Sequence, residues 1–162
     1  MSSLKHRDVR LAETTLYMPA GELHALHAHA LEGYPFEVVG ILAGQRSTGR
    51  ISRVVSLRNE RATDAAKRYR VGGLVLMKAE MALNAEGLEI LGYYHSHPDH
   101  PAMYSDTDRD LAMPNMSYLI TAVHQTEDGP KIVNTKVWRL REDRSEMDLE
   151  ILTVDDNPPT RE

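Results

Sequence analysis

Residues 88–98 read LEILGYYHSHP, an apolar run that ends in two histidines and a proline. A short apolar run of this kind is typical of a buried β-strand. Side chains two residues apart in a strand point to the same side, so His95 and His97 lie side by side at its end. Two imidazoles on one side can share a metal ion. The stretch therefore predicts a buried strand that delivers two metal ligands.

The residues that follow can complete a metal site. Seven residues separate His97 from Ser105, and Asp108 comes three positions later, which gives the pattern His-x-His-x7-Ser-x-x-Asp. If the next structural element brings the side chain of Asp108 back to the two histidines, the metal has three N/O ligands. A fourth position then stays open for water, as a catalytic zinc site requires. Zinc lowers the pKa of such a water from about 15.7 to about 7, so a hydroxide nucleophile exists at neutral pH.

Attack of this hydroxide on a carbonyl group needs two further groups, a proton acceptor and a stabiliser of the tetrahedral oxyanion. Ser105 is placed to act as the stabiliser. For the acceptor we choose Glu37, an acid outside the ligand set that lies within the sequence YPFEVVG of residues 34–40. Glu37 comes directly before an apolar run of residues, where desolvation would raise its pKa towards neutrality.

Each of these residues also has a simpler interpretation. A lone His-x-His is most often a pair of surface or core histidines, and Glu37 alone would be a solvated acid at a strand edge. Ser105-x-x-Asp108 also matches a helix capping box, in which the serine caps backbone amides and the acid reaches back. The capping and metal interpretations are not exclusive, since a capped helix start could hold both groups rigidly. The complete spacing favours the metal site.

Glu37, the sequence GILAG of residues 40–44 and the pattern His-Ser-His-Pro-x6-Ser-x-x-Asp together resemble the JAMM (MPN+) zinc metalloproteases, over roughly residues 10–140. The resemblance implies an α/β fold, a single-domain mixed β-sheet flanked by helices and similar to the cytidine deaminases. It also implies an enzyme that hydrolyses peptide or isopeptide bonds next to the C-terminus of ubiquitin-like proteins. The site that it implies has one Zn²⁺ per chain bound by His95, His97 and Asp108, with Glu37 as general base and acid and Ser105 as oxyanion donor.

The chain is close to the minimal domain of this family, and the sequence GYYHSHPDHPA of residues 92–102 is similar to its compact bacterial members. Those members trim the C-terminus of ubiquitin-like sulfur-carrier proteins. The resemblance therefore implies a cut after a Gly-Gly tail, which exposes a terminus for thiocarboxylate formation or releases a sulfur-loaded amino acid such as cysteine. Glycines fit a narrow channel between strand edges, where backbone hydrogen bonds hold a tail without side chains.

Two further residues are candidates for substrate binding. Asn59 resembles the family's segment after its second strand, where polar side chains frame the substrate channel, and a turn asparagine is an equal alternative. His100 lies in the loop of the site, where it can touch substrate. His24, His27 and His29 suggest a second metal site, but no acid or cysteine completes a set, so we favour surface or partly buried histidines.

Two other functional classes remain open. One is a non-catalytic scaffold module, like the metal-free MPN proteins that only assemble complexes, and the intact ligand set argues against it. The other is a zinc hydrolase of small molecules, such as an amidase or peptidase. A nucleoside deaminase is excluded, because its signature needs Pro-Cys-x-x-Cys and this chain has no cysteine.

The composition fits one domain of a soluble globular protein. The chain has 162 residues, 41% hydrophobic and 27% charged, and we assign residues 1–154 to the domain and 155–162 to a frayed tail. Aromatic residues interleaved with basic ones are too few for nucleic-acid binding, and no apolar run approaches the ~20 residues of a membrane helix. Without cysteines or an apolar leader, a cytoplasmic protein is the simplest interpretation. The oligomeric state stays open, with a homodimer as one possibility.

Apolar periodicity and turn residues predict alternating strands and helices with short connections. The predicted elements, in chain order, are strand Val9–Met18, helix Ala20–Leu31, strands Glu37–Ala43 and Ile51–Leu57, helix Leu74–Ala85, strand Leu88–Tyr94, helix Ser105–Ala112, strands Ser117–Val123 and Lys131–Leu140, and an edge strand Met147–Val154. The helix over residues 74–85 is the clearest, because Leu74, Met77, Met81 and Ala85 fall on one stripe.

Overall fold

The computed structural model of the chain describes residues 9–58 and 72–155. Its elements, in chain order, are β1 (Leu11–Pro19), α1 (Ala20–Gly33), β2 (Val39–Gln45), β3 (Arg50–Leu57), α2 (Gly73–Ala85), β4 (Glu89–Pro98), α3 (Asp106–Leu111), β5 (Ser117–Thr126), β6 (Gly129–Leu140) and β7 (Met147–Asp155). Every predicted element exists with its predicted type, and the differences lie at the ends. Within the described ranges, no helix is long and apolar enough to cross a membrane.

The strands form a closed barrel in the order β1-β3-β2-β4-β5-β6-β7. The sheet is mixed, because β1 runs parallel to β3 and β7, and β4 runs parallel to β5, whereas the other neighbours are antiparallel. α1 packs against β1, β3, β5, β6 and β7, and α2 packs against β4. The predicted α/β fold, a mixed β-sheet flanked by helices, is therefore confirmed, and the sheet closes on itself.

The strand that carries the two histidines lies in the middle of this sheet, between β2 and β5. Its parallel neighbour β5 is buried on both faces. Leu119 and Ile120 are adjacent in β5, are both 0% exposed, and belong to separate apolar clusters. Parallel strands covered on both faces have nearly continuous apolar sequences, which explains the composition of residues 88–98. The histidines therefore stand on a strand that is hydrogen-bonded to a neighbouring strand along both of its edges.

The prediction that Met147–Val154 forms an edge strand is wrong. β7 pairs with β6 on one side and with β1 on the other. Asp155 is the last residue of β7, and its carboxylate accepts hydrogen bonds of 3.0 and 3.2 Å from the Arg50 guanidinium. The second neighbour of a strand depends on how distant strands are ordered in space, which local alternation does not encode. Residues 156–162 lie outside the described residues, so their assignment as a frayed tail stays a prediction.

The apolar stripe predicted for α2 faces away from the core. Leu74, Met77 and Met81 are 59%, 51% and 64% exposed. The core contacts come instead from Leu83, which is 2% exposed, and from Leu76, both packed against apolar residues of β2 and β4. The helix sequence GLVLMKAEMALNA is apolar at most positions, so apolar residues lie on more than one face. A spacing of 3.6 residues therefore does not decide which face packs against the core.

The histidines of α1 make polar contacts next to the core. His29 Nδ1 lies 2.6 Å from the hydroxyl oxygen of Tyr94, and the two rings meet edge to face. His27 Nε2 lies 2.8 Å from the hydroxyl oxygen of Thr135. Burial lowers the pKa of both histidines, and the neighbouring charge of His24 lowers the pKa of His27 further. These contacts agree with the interpretation as partly buried histidines.

We expect the free energy of unfolding to fall as the pH is lowered from about 7 to about 5. An unfolded histidine takes up its proton near pH 6.5, whereas folded His27 and His29 do so only at lower pH. At these two positions the unfolded state therefore binds more protons in this window and acid favours it, whereas His97, whose pKa is raised in the folded state, contributes in the opposite sense. The measurement is urea unfolding across this range with a chelator present, so that metal release plays no part.

The variant His29→Gln tests whether these histidines cause the slope of the free energy of unfolding against pH, because it removes one of the two titrating groups. It should flatten the dependence of the free energy of unfolding on pH. The matched control is Ala25→Gln, which places the same side chain at an exposed position of the same helix, removes no titrating group and should retain the slope. A slope in His29→Gln as steep as in the unmodified protein would contradict the explanation.

Candidate metal centre

Strand β4 brings His95 and His97 together as the sequence predicts. The strand continues to Pro98, so both histidines stand within it and project from the same face. They are buried, with 2% and 8% exposure, and their Nε2 atoms lie 3.2 Å apart. Two nitrogens at this distance in a buried position can bind one ion together.

Asp108 completes the group from α3. Its Oδ1 lies 3.3 Å from His95 Nε2, and its Oδ2 lies 3.3 Å from His97 Nε2. The ligand atoms of these three residues all lie within 4.8 Å of one another. Across residues 9–58 and 72–155, this is the group of histidine and acidic side chains that can hold a metal ion.

The spacing of these atoms fits a zinc-sized ion. Ligands at about 2.0–2.1 Å from a tetrahedral zinc ion lie about 3.3 Å from one another. The 3.2 Å between the two imidazole nitrogens matches that edge, and each of them lies 3.3 Å from a different oxygen of the Asp108 carboxylate. His97 Nδ1 lies 2.8 Å from the carbonyl oxygen of Pro101, to which it can only donate, so Nε2 of the neutral ring keeps its lone pair for a metal.

The groups around Asp108 favour its ionised carboxylate, which is the form that binds a metal. Burial alone would raise the pKa of Asp108, but the charge of His95 and hydrogen bonds to both imidazoles hold it far below its usual value. Burial would lower the pKa of His97, but the hydrogen bond and charge of Asp108, the Pro101 carbonyl and the charge of Glu37 together raise it. Asp108 is therefore a carboxylate at neutral pH, which is the form that binds metal.

Ser105 and Asp108 also form the predicted capping box at the start of α3. The Ser105 hydroxyl accepts a hydrogen bond of 3.0 Å from the Asp108 backbone nitrogen, and Asp108 Oδ2 accepts one of 2.9 Å from the Ser105 backbone nitrogen. The capping box is therefore confirmed, and Asp108 belongs at the same time to the group that could hold a metal ion. A hydroxyl that accepts a bond can still donate its own proton, so Ser105 keeps the capacity that an oxyanion needs.

Glu37 lies just before β2, two residues outside the strand in which its prediction placed it. It is half-buried, and its charge acts on His97. Its neighbour Val38 is tied to β4, because the Val38 nitrogen donates to the Ser96 hydroxyl at 2.9 Å and the Val38 oxygen accepts from the Ser96 nitrogen at 3.1 Å. The backbone that carries the acid is therefore fixed to the backbone that carries the histidines.

Ser96 is the site residue that the sequence interpretation missed. It is 0% exposed, and its side chain stands on the face of β4 opposite to the histidines. The signal was present in the sequence: a serine within a buried strand needs a hydrogen-bond partner. Nothing in the sequence identified that partner as the residue after Glu37.

Of the two candidates for substrate contact, the structure describes His100 but not Asn59. Asn59 lies outside the described residues, so its role stays a prediction. His100 lies exposed in the turn after β4, and its carbonyl oxygen is 3.1 Å from His124 Nε2. The structure places the imidazole of His100 outside the ligand group, and contact with substrate stays a prediction.

Residues 19–141 match the family described as prokaryotic homologs of the JAB domain. The chain belongs to this family. Membership confirms the predicted resemblance to the JAMM metalloproteases, together with the α/β fold and the assignment of the chain as an enzyme of the hydrolase class.

Several known proteins are similar to this JAB-domain protein. A Thermus thermophilus protein named as a probable TtuB-protein conjugate cleaving protease is 40% identical over 105 residues, which cover 65% of this chain and 68% of that protein. A Haloferax volcanii protein named desampylase is 29% identical over 115 residues, which cover 68% of this chain and 82% of that protein. The solution structure of a Desulfitobacterium hafniense protein superposes with a TM-score of 0.71 at 25% identity, covering 89% of this chain and 95% of that one.

Proposed function

We propose that the chain is a zinc-dependent metallopeptidase that hydrolyses a peptide or isopeptide bond after the C-terminal Gly-Gly of a ubiquitin-like sulfur-carrier protein. The observation that carries the proposal is the convergence of the side chains of His95, His97 and Asp108 into one buried group beside Glu37. The names of the relatives, a conjugate-cleaving protease and a desampylase, support a substrate in which a ubiquitin-like protein is joined to another group. A cytoplasmic location belongs to the same proposal.

The proposed roles follow from the position of each residue. His95, His97 and Asp108 would hold one zinc ion, which when bound supplies a Lewis acid and lowers the pKa of a water. Glu37 accepts the proton of the attacking water and returns it to the leaving amine. Ser105, at the start of α3, donates a hydrogen bond to the oxyanion of the tetrahedral intermediate.

The substrate tail that we propose is narrow and has no side chains at the cut. Glycine residues can lie extended along a strand edge and be held by backbone hydrogen bonds alone. In this proposal His100, exposed beside the site, and Asn59 contact the tail or the group that leaves it. The leaving group is a peptide extension, a conjugated protein, or a sulfur-loaded amino acid.

The test is intact-mass spectrometry of a ubiquitin-like carrier extended beyond Gly-Gly, after incubation with this protein and zinc. We expect a loss of mass equal to the extension. Glu37→Gln should slow the cleavage by ~10²–10⁴-fold, because general base catalysis contributes about that much. The matched control Glu86→Gln removes an exposed glutamate that pairs with Arg53 on the surface and should cleave at the normal rate.

Two results would contradict this function in different ways. Zinc binding without a change of mass in several carriers, together with hydrolysis of free dipeptides, would assign the chain to the small-molecule amidases. Failure to bind zinc at all, with no hydrolysis of either substrate, would leave a scaffold module.

A further inference from the structure

A buried tryptophan packs against the segment that joins β4 to α3. Trp138 of β6 is 1% exposed, and its indole nitrogen donates a hydrogen bond of 3.1 Å to the carbonyl oxygen of Ala102. A buried indole N–H needs an acceptor, and this one lies 36 positions away in the sequence. The ring of Trp138 also meets the ring of Tyr104 edge to face, with the ring centroids 5.0 Å apart. Trp138 therefore holds the middle of residues 101–105 at two points.

The same segment contacts two of the three candidate metal ligands, one at each of its ends. The Pro101 carbonyl oxygen accepts a hydrogen bond of 2.8 Å from His97 Nδ1. The Ser105 backbone nitrogen donates to Asp108 Oδ2 at 2.9 Å. Groups that are hydrogen-bonded to a metal ligand fix its orientation and support its affinity for the metal. The orientation of His97 and of Asp108 therefore depends on where residues 101–105 lie.

Burial alternates along this segment. Ala102 and Tyr104 are buried in one apolar cluster with Trp138, whereas the residues on either side of each are more exposed. The Tyr104 hydroxyl also donates to the carboxylate of Glu146, which comes directly before β7. Each of the two buried residues is the chain neighbour of a residue that is hydrogen-bonded to a ligand. A shift of Ala102 or Tyr104 would therefore move those hydrogen bonds as well.

We propose that Trp138 is a positioning residue of the metal centre. Its indole N–H and its ring hold the middle of residues 101–105, and the two ends of that segment hold the imidazole of His97 and the carboxylate of Asp108. The indole nitrogen is a hydrogen-bond donor only, so Trp138 supplies no ligand atom and acts through the segment. The inference rests on the metal centre of the proposed function and does not depend on which bond the protein cleaves.

The zinc affinity of the folded protein separates this role from core packing alone. Trp138→Phe retains an aromatic ring and loses the indole donor. We expect its zinc affinity to fall by ~10-fold, the lower end of the ~10–100-fold loss that follows mutation of a group hydrogen-bonded to a ligand. The measurement is competition with a chromogenic chelator, at a temperature where circular dichroism shows the variant to be folded. The matched control Leu83→Ala truncates a buried side chain of α2, in a cluster that shares no buried residue with that of Trp138. It should lose stability and retain zinc affinity.

A second replacement removes the donor and keeps the shape of the ring. Trp138 is the only tryptophan of the chain, so protein produced with benzothienylalanine in place of tryptophan has a sulfur atom instead of this N–H and no other change. Its zinc affinity should fall by about the same factor as in Trp138→Phe. Protein produced with tryptophan in the same strain is the reference.

The outcomes of the chelator competition decide between the roles. Unchanged zinc affinity in the folded benzothienylalanine protein would overturn the proposal. An equal loss in Leu83→Ala would also overturn it, because zinc affinity would then follow stability. The competition uses no substrate, so a protein that binds zinc but cleaves no carrier would contradict the proposed function alone. Failure of the unmodified protein to bind zinc would overturn both.

Discussion

Asp108→Ala is expected to remove both the bound zinc and the proteolytic activity. Asp108 is the one ligand of the group that comes from outside β4, and its two oxygens each face one imidazole at 3.3 Å. Without it, two histidines on one strand remain, which is fewer ligands than a catalytic zinc site uses. The loss of metal affinity should exceed the ~10–100-fold loss that results when a residue hydrogen-bonded to a metal ligand is mutated. Metal analysis of the purified protein and the cleavage rate measure the two effects.

Asp108 also caps α3, so further variants must separate the cap from the ligand. Asp108→Asn retains an oxygen that can accept from the Ser105 nitrogen but loses the negative charge, and we expect it to keep stability and lose zinc. Ser105→Ala loses the hydroxyl cap, at a cost of ~1 kcal/mol, and keeps the ligand. It should retain zinc while kcat falls by ~10²–10³-fold, because an oxyanion donor is lost.

Asp110→Ala is the matched control for these variants. Asp110 lies on the same helix, is exposed, and pairs with Arg109, so its removal should change neither zinc content nor the cleavage rate. Zinc and full activity retained in Asp108→Ala would leave the capping box as the only role of the segment. Loss of zinc in Ser105→Ala alone would show that the cap, and not the carboxylate, decides metal binding.

The ligand group was predictable because its geometry is local. Alternation along a strand places His95 and His97 on one face whatever the remainder of the fold does. The capping box fixes Asp108 at the start of a helix a short distance later, and the structure shows both features. The roles of Ser105 and Glu37 follow from what attack on a carbonyl group requires and from the family resemblance, and they stay predictions.

The features that the sequence did not predict depend on contacts between distant segments. The closure of the barrel through β1 and β7 joins the two ends of the described chain. The face of α2 that packs is set by β2 and β4, and four large apolar residues of the helix remain on the surface. The bond from Val38 to Ser96 spans 58 positions of the sequence, so no local period could indicate it.

The burial of Glu150 belongs to the same class of features. In the sequence Glu150 appears as one of several acids near the C-terminal end, and its burial becomes visible only once β7 is placed between β6 and β1.

Gly92→Ala is expected to destabilise the fold by ~3 kcal/mol or more, because overpacking against backbone leaves no side chain that can move aside. A Cβ atom at Gly92 would lie 1.8 Å from the carbonyl oxygen of Ser117 and 2.7 Å from that residue's carbonyl carbon and nitrogen. Gly92 pairs with Ser117 in the parallel ladder of β4 and β5. The measurement is the midpoint of chemical denaturation with a chelator present, so that the loss reports packing and not metal binding.

Gly21→Ala is the matched control for this change. A Cβ atom at Gly21 meets nothing within 4 Å, and the residue lies in the first turn of α1, so alanine should be neutral or stabilise the helix by up to ~1 kcal/mol. Because Gly92 stands three residues before His95 on one strand, the shift that alanine forces also moves the ligands. Zinc affinity should therefore fall in Gly92→Ala and stay constant in Gly21→Ala. Normal stability in Gly92→Ala would mean that β4 and β5 lie farther apart than the structure shows, and the spacing of the ligand group would then have to be remeasured.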